Sequence, residues 1–238
     1  MDQIIINDIK IDVIRKNIKN IYLAVYPPNG RVRIAVPLHT SNDTIRLFAI
    51  SKLNWIKRNQ RKFEDQERIP PREYKQHESL YFFGKRYLLN IIETDKSPKV
   101  VLNNNQFIDL HIKPNTPINK RHELLKKWYR AQLKEQIPPL IEKWEKILNV
   151  KVNQWFTKQM KTRWGSCNTV KKRIWINLEL AKKPLPCLEY IVVHEMVHLL
   201  ERLHNQRFLN YMDTYLPNWR RLKQELNNFP VSHADWTY

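Results

Sequence analysis

The stretch His194-Glu195-Met196-Val197-His198, followed after five intervening residues by His204, decides how the chain is read. Histidines four apart on a helix project from nearly one face, so both imidazoles can reach one ion, while a Glu beside the first can address a water held there. Tyr190, Ile191, Val193 and Val197 give the same segment an apolar surround, as suits a helix buried in a core with only its metal face open. A buried helix can carry histidine for packing alone. Two on one face with an adjacent Glu, however, is the spacing of a zinc hydrolase.

Catalytic zinc usually takes three protein ligands and leaves one position for water. On an unbroken helix Glu201 would share the azimuth of His194 and His198, but its Cα would lie ~10 Å along the axis from that of His194. Bonds of about 2 Å cannot span that gap. His204 is the better candidate, provided the helix ends soon after His198 and the chain doubles back. The metzincin pattern has this histidine spacing with a Gly to ease the turn, whereas Glu201 occupies the Gly position here. Asp213 or Glu225, from the helices expected next, is the remaining alternative, as in a gluzincin-like site.

Upstream of this helix, Val150 to Phe156, Arg163 to Cys167 and Arg173 to Leu178 read as strands, and Pro184-Leu185-Pro186 opens the helix itself. Before them lies a long helical pattern through Leu124, Leu125, Trp128, Leu133 and Ile137. Pro138-Pro139 should kink or divide it before Leu140, Ile141, Trp144 and Leu148 continue. Lys113-Pro114-Asn115-Thr116-Pro117 separates that helix from strand-like sequence and is the expected boundary between a β-rich region (1–115) and a second domain (116–238). Within 1–115, a hairpin around Pro27-Pro28-Asn29-Gly30, a helix from Ser41-Asn42-Asp43 to about Phe63, a break at Ile69-Pro70-Pro71 and a hairpin around Gly84 are expected. Two short strands flank Asn103-Asn104-Asn105. After His204, Asn205 can cap one helix and Pro217 start another. No internal repeat is visible.

Composition bounds the setting. A chain of 238 residues with 42% hydrophobic content, eight Trp and eight Phe can fill a substantial core. Forty-two Lys+Arg against 23 Asp+Glu give a net charge of +19, which favours nucleic acid or another polyanion as a partner. The bland reading is a solubilising Lys excess in a chain rich in Ile, Asn and Lys. Two cysteines, Cys167 and Cys187, make no disulfide framework and read as small buried hydrophobes. No apolar run approaches the ~20 residues of a membrane span, and Met1 to Asp8 lacks a signal-like pattern. A cytoplasmic protein with no membrane partner is expected.

Five ordered blocks carry a resemblance. They are Met160-Lys161-Thr162-Arg163-Trp164-Gly165-Ser166-Cys167, Ile176-Asn177-Leu178, Tyr190 to His198, His204-Asn205-Gln206-Arg207-Phe208 and Tyr215-Leu216-Pro217. Together they resemble the YgjP-like metallopeptidases, relatives of the SprT and WLM zincins, over roughly residues 120–238. The first half is similar to that family's opening β-region. The resemblance implies an α+β fold in which a zincin-like catalytic domain, with a short antiparallel sheet and an active-site helix, follows a β-rich N-terminal region. It also implies that His194, His198 and His204 bind Zn2+, that Glu195 is the general base and that peptides or proteins are substrates. Leu203 stands where the family usually has Asn, a residue that would ease the turn.

Three functions follow as expectations. The first is peptide hydrolysis by a metal-activated water. The second is hydrolysis of a phosphoanhydride such as a nucleoside triphosphate, suited to the positive charge, and the third is a nucleic-acid-associated protein whose metal site acts on bound proteins. Gly165-Ser166 reads equally as a strand beside an extended substrate or as a bulged core strand. Arg163 reads as a structural ion pair before a carboxylate or oxyanion binder. Tyr211, Tyr215 or His233 could stabilise the tetrahedral intermediate.

Overall fold

The computed structural model describes residues 2–26, 29–64, 68–69, 72–104, 106–160, 163–228 and 231–232. They fall into two compact units, residues 2–68 and 69–232, each with its own apolar core. Among the described residues no helix is long and apolar enough to cross a membrane.

In the first unit, β1 (Asp2–Ile6), β2 (Ile9–Lys16), β3 (Tyr22–Tyr26) and β4 (Arg31–Pro37) form one sheet in the order β1-β2-β4-β3. β2 and β4 run parallel and the outer pairs antiparallel. Alternation puts Ile11 and Val13 of β2 with Val32, Ile34 and Val36 of β4 into the core. Ile45 and Ala49 of α1 (Asn42–Ser51) and Ile56 of α2 (Leu53–Glu64) belong to the same cluster. The Ser41 hydroxyl caps α1 by accepting from the Thr44 N–H at 3.2 Å. The single helix expected from Ser41 to Phe63 is therefore present as two segments, interrupted at Lys52. The expected hairpin is formed by β3 and β4, although Pro27 and Pro28 of its turn lie outside the described residues.

The two-residue strand β5 (Arg68–Ile69) spans the division in the chain, and the second unit then forms a second four-stranded sheet. That sheet comprises β6 (Ser79–Phe82), β7 (Lys85–Glu93), β8 (Lys99–Asn103) and β9 (Phe107–Ile112), in the order β6-β7-β9-β8. Its inner pair β7–β9 is again parallel and its outer pairs antiparallel. Strand order and direction thus repeat between the units although the sequence shows no repeat. Short alternating strands are all this topology asks of a sequence, so residue identities need not repeat with it. Pro70, Pro71 and Asn105, read as breaks and turns, lie outside the described residues.

Leu89, Ile108, Leu110 and Ile112 of this sheet share one core with Leu125, Leu133 and Ile137 of α3 (Ile118–Leu148). Residues 113–117, read from sequence as a domain boundary, thus join a sheet to its own helix. Pro and Asn end a strand wherever it must stop and carry no information about which core the next element joins. α3 is also undivided. Pro138 and Pro139 sit on its exposed face while Ile137, Ile141, Trp144 and Leu148 continue the buried stripe. An internal proline costs ~3 kcal/mol or more, and burial returns roughly 1.5–3 kcal/mol for each of those side chains. Burial therefore matches or exceeds the cost, and the helix runs through.

A three-stranded sheet follows: β10 (Gln154–Lys158), β11 (Gly165–Asn168) and β12 (Arg173–Asn177) in the order β10-β12-β11. β11 is antiparallel to β12, whereas β10 is parallel to it. A 3-10 turn (Leu178–Lys182) leads to α4 (Leu185–Val197), then α5 (Gln206–Tyr215), α6 (Trp219–Asn228) and β13 (Val231–Ser232). α4 is buried almost all round, from Cys187 to Val197, as a helix at the centre of a core must be.

The tip of the β6–β7 hairpin braces the start of α4. Phe83 N–H donates to the Ala181 carbonyl at 2.9 Å, and Gly84 N–H to that of Lys182 at 3.4 Å. Gly84 adopts φ +82°, and a Cβ there would lie 2.7 Å from Pro184 Cγ. Gly84→Ala combines left-handed backbone strain with this clash. A loss of roughly 1–3 kcal/mol is expected, read as a lower denaturant midpoint with an unchanged slope.

Candidate metal centre

α4 delivers His194 and Glu195 from its last turn and ends with His198 as its C-cap. The chain then turns tightly: Leu199 N–H donates to Met196 O, and Leu200 and Glu201 N–H both donate to Val197 O, at 2.9–3.0 Å. No residue from 199 to 205 has a positive φ. The turn therefore requires neither the Gly of the metzincin pattern nor an Asn at position 203, and Leu203 is simply left exposed. Asn205 Oδ1 accepts from Phe208 N–H at 3.1 Å and starts α5, which returns His204 toward α4.

The result is convergence of three imidazoles. One donor atom each from His194, His198 and His204 lies within 4.8 Å of the others. His194 Nε2 and His204 Nε2 are 3.0 Å apart, close to the ~3.3 Å between nitrogens on a tetrahedral ion with bonds of 2.0–2.1 Å. His198 Nδ1 faces the Glu201 carbonyl at 3.1 Å; donating to it leaves Nε2 as the free lone pair. Burial, then the charges of His198, His204 and Lys223, hold His194 well below its ordinary 6.5, at about 3. Burial lowers His198 and His204 as well. Three neutral imidazole nitrogens at these separations fit one zinc-sized cation. The ring of Phe208 lies 4.7–5.0 Å from all three histidine rings and forms the apolar floor beneath them.

Glu195 is 4% exposed. Burial pushes its carboxyl up to about 8, with Arg163 acting in the opposite sense. Its neighbour is Gly165 of β11, where a Cβ would lie 2.6 Å from Glu195 Oε1. Asn177 holds the segment before β11 in place. Its Nδ2 donates to the carbonyls of Met160 (3.0 Å) and Arg163 (2.7 Å), and its Oδ1 accepts from Met160 N–H at 3.2 Å. Lys161 and Thr162 lie outside the described residues.

These groups open onto one cavity of about 580 Å³ that also admits Arg163, Tyr190, Arg202 and Lys223. Arg163 has no carboxylate partner among the described residues, so the structural ion pair expected of it is not formed there. Asp213 is tied to Trp219 Nε1 at 2.7 Å and to Arg220. Neither it nor Glu225 belongs to the histidine cluster. Tyr211 accepts from Arg207 and lies off the cavity wall, as does Tyr215; His233 lies outside the described residues. Among the described residues Tyr190 is the tyrosine that does line the cavity, its ring edge-on to His194 with centroids 6.0 Å apart. Its signal in the sequence is its place four residues before His194, one turn away on the same face. Cys187 is buried as expected, whereas Cys167 is partly exposed on the cavity wall. Burial raises both thiols, to about 11 and about 12 respectively.

A family model described as YgjP-like, metallopeptidase domain, matches residues 19–229. The chain belongs to the YgjP-like metallopeptidases. Membership makes it an α+β hydrolase that uses a metal ion on peptides or proteins, and the match reaches well into the first unit, beyond the blocks that carry the resemblance in sequence. Among solved structures, the metallopeptidase zymogen of Methanocaldococcus jannaschii jannalysin aligns at 20% identity over 38% of this chain and 92% of that one, with a TM-score of 0.34. No curated protein matches the chain. Within this YgjP-like metallopeptidase, the cavity holding Glu195 and the three histidines is the candidate active site.

Proposed function

We propose that the chain is a zinc-dependent peptidase in which His194, His198 and His204 hold the ion and Glu195 is the general base. The convergence of the three imidazoles beside a buried carboxylate, in a cavity open to solvent, carries this reading. Zinc bound there would supply Lewis acidity, lowering the pKa of water to about 7 and polarising a carbonyl. The remaining work falls to the chain. Neutral histidines keep their lone pairs free, and the Glu201 carbonyl fixes the tautomer of His198. Glu195, poised near neutrality, takes a proton from water and can pass it to the leaving amine. Tyr190 lines the cavity and would donate toward developing negative charge, its hydroxyl kept protonated by burial, which raises it to about 12. β11 is an edge strand whose Gly165, Ser166 and Cys167 line the cavity, so an extended peptide can pair with it through backbone hydrogen bonds.

The test is cleavage of a proteome-derived peptide library by the purified chain. Cleavage should cease on chelation and return with about one equivalent of Zn2+ per chain, counted by elemental analysis. Release of phosphate from nucleoside triphosphates without peptide cleavage would instead establish the phosphoanhydride alternative. Basic residues around the cavity leave nucleic-acid recruitment as a separate question, answered by binding at low salt, where phosphate contacts are strongest.

Phe208→Leu keeps apolar bulk but removes the flat face shared by the histidines. Zn2+ affinity should fall by about tenfold, within the range seen when groups supporting metal ligands are changed, measured against a chromophoric chelator. Unchanged affinity would leave the ring with a packing role only.

A further inference from the structure

The cavity is lopsided in charge. Arg163, Arg202 and Lys223 line it together with the histidines, and all three are exposed. None is ion-paired to a carboxylate among the described residues. Acids on the surrounding elements are turned elsewhere. On α4, Glu189 accepts from Lys143 and Trp144. In the turn after α4, Glu201 accepts from Leu203 N–H at 3.1 Å; on α5, Asp213 is held by Trp219 and Arg220. On α6, Glu225 is not part of the cavity wall. Among the described residues Glu195 is the one carboxylate on that wall, and its side chain is buried. The cations also come from three separate places: the segment before β11, the turn after α4, and α6. Lys223 lines the cavity together with all three histidines, and its ammonium lies 5.7 Å from the Trp219 ring centroid. Cations without an ion-paired carboxylate among the described residues, gathered round one cavity, favour a ligand that brings negative charge.

We propose that Arg163, Arg202 and Lys223 make the cleft selective for acidic peptides, with Asp or Glu side chains close to the scissile bond. This rests on the reading of the cavity as a peptidase site. Selectivity of this kind is electrostatic and partly exposed to solvent, so each cation contributes roughly two- to fivefold in kcat/KM, and the preference weakens as salt rises.

The experiment profiles cleavage of a proteome-derived library by the Zn2+-loaded full chain. Paired peptides that differ only in Glu or Lys beside the cleaved bond are then compared for wild type, Arg202→Glu and Lys223→Glu. Wild type should enrich Asp and Glu at flanking positions and favour the Glu peptide by about fivefold or more. Each charge reversal should move that ratio toward the Lys peptide, chiefly through KM, whereas a folding defect would lower both peptides alike and leave the ratio unchanged. Cleavage without acidic enrichment, or an unmoved ratio in both folded variants, overturns this inference while leaving the peptidase reading intact. Failure of every form to cut any peptide, with or without nucleotide hydrolysis, overturns both.

Discussion

Replacing Glu195 by Gln is expected to lower peptide hydrolysis by about 10²–10⁴-fold, the usual contribution of a positioned general base, while Zn2+ content stays near one per chain. Gln keeps the shape and loses the basicity. Because Glu195 is buried and raised to about 8, it is mostly protonated at neutral pH in the metal-free protein, and Gln is a close mimic of that form. The linkage to stability has a definite sign. An unfolded Glu ionises near its ordinary 4.5, so between there and about 8 the folded state binds more protons than the unfolded state. Metal-free wild type must therefore lose stability as pH rises through that window. The variant carries no such proton. Its Tm in chelator should exceed that of wild type at pH 8, with the difference shrinking toward pH 5. Loss of zinc and of cooperative unfolding together would instead assign Glu195 a structural part.

Gly165→Ala should be nearly as damaging, though the substitution adds one methyl group and touches no proposed ligand. That methyl would meet Glu195 at three atoms, Oε1 at 2.6, Cγ at 2.8 and Cδ at 2.9 Å. Two of these are not a mobile tip. β11 is held by its register with β12 and α4 by burial on nearly every side, so the carboxylate is what gives way. A displacement of about 1 Å at a reacting group costs on the order of 10²-fold in rate. A fall of that size in kcat, with KM and zinc content little changed, is the expected result. Equal loss of kcat and zinc would place the damage in the helix.

The sequence made the three histidines legible because each requirement was local. Four-residue spacing on a helix is fixed by the helix itself, and the ~10 Å separation that set Glu201 aside follows from rise per residue alone. The hairpins at β3–β4 and β6–β7 and the Asn205 cap were readable for the same reason. Missed features depend on partners distant in the chain. Tyr190 reads as one more apolar core residue until the cavity wall is known. Nothing local tells Arg163 that no ion pair awaits it among the described residues, or Pro138-Pro139 that a buried stripe carries α3 through. The parallel pairs β2–β4 and β7–β9 likewise depend on a crossover that alternation cannot encode.

The brace between the β6–β7 hairpin and the start of α4, and the core that β7, β9 and α3 share, limit how far the chain can be shortened. A chain begun at residue 116 would inherit every histidine, Glu195 and the cavity-lining cations. It would also expose the faces of Leu125, Leu133 and Ile137 that now meet Leu89, Ile108 and Leu110, and leave α4 without its abutment at Gly84. Chemistry and foldability therefore have different minimal footprints here. The four strands β6–β9 act as scaffolding, since none of their residues lines the cavity, and engineered fusions should cut before them, near residue 69.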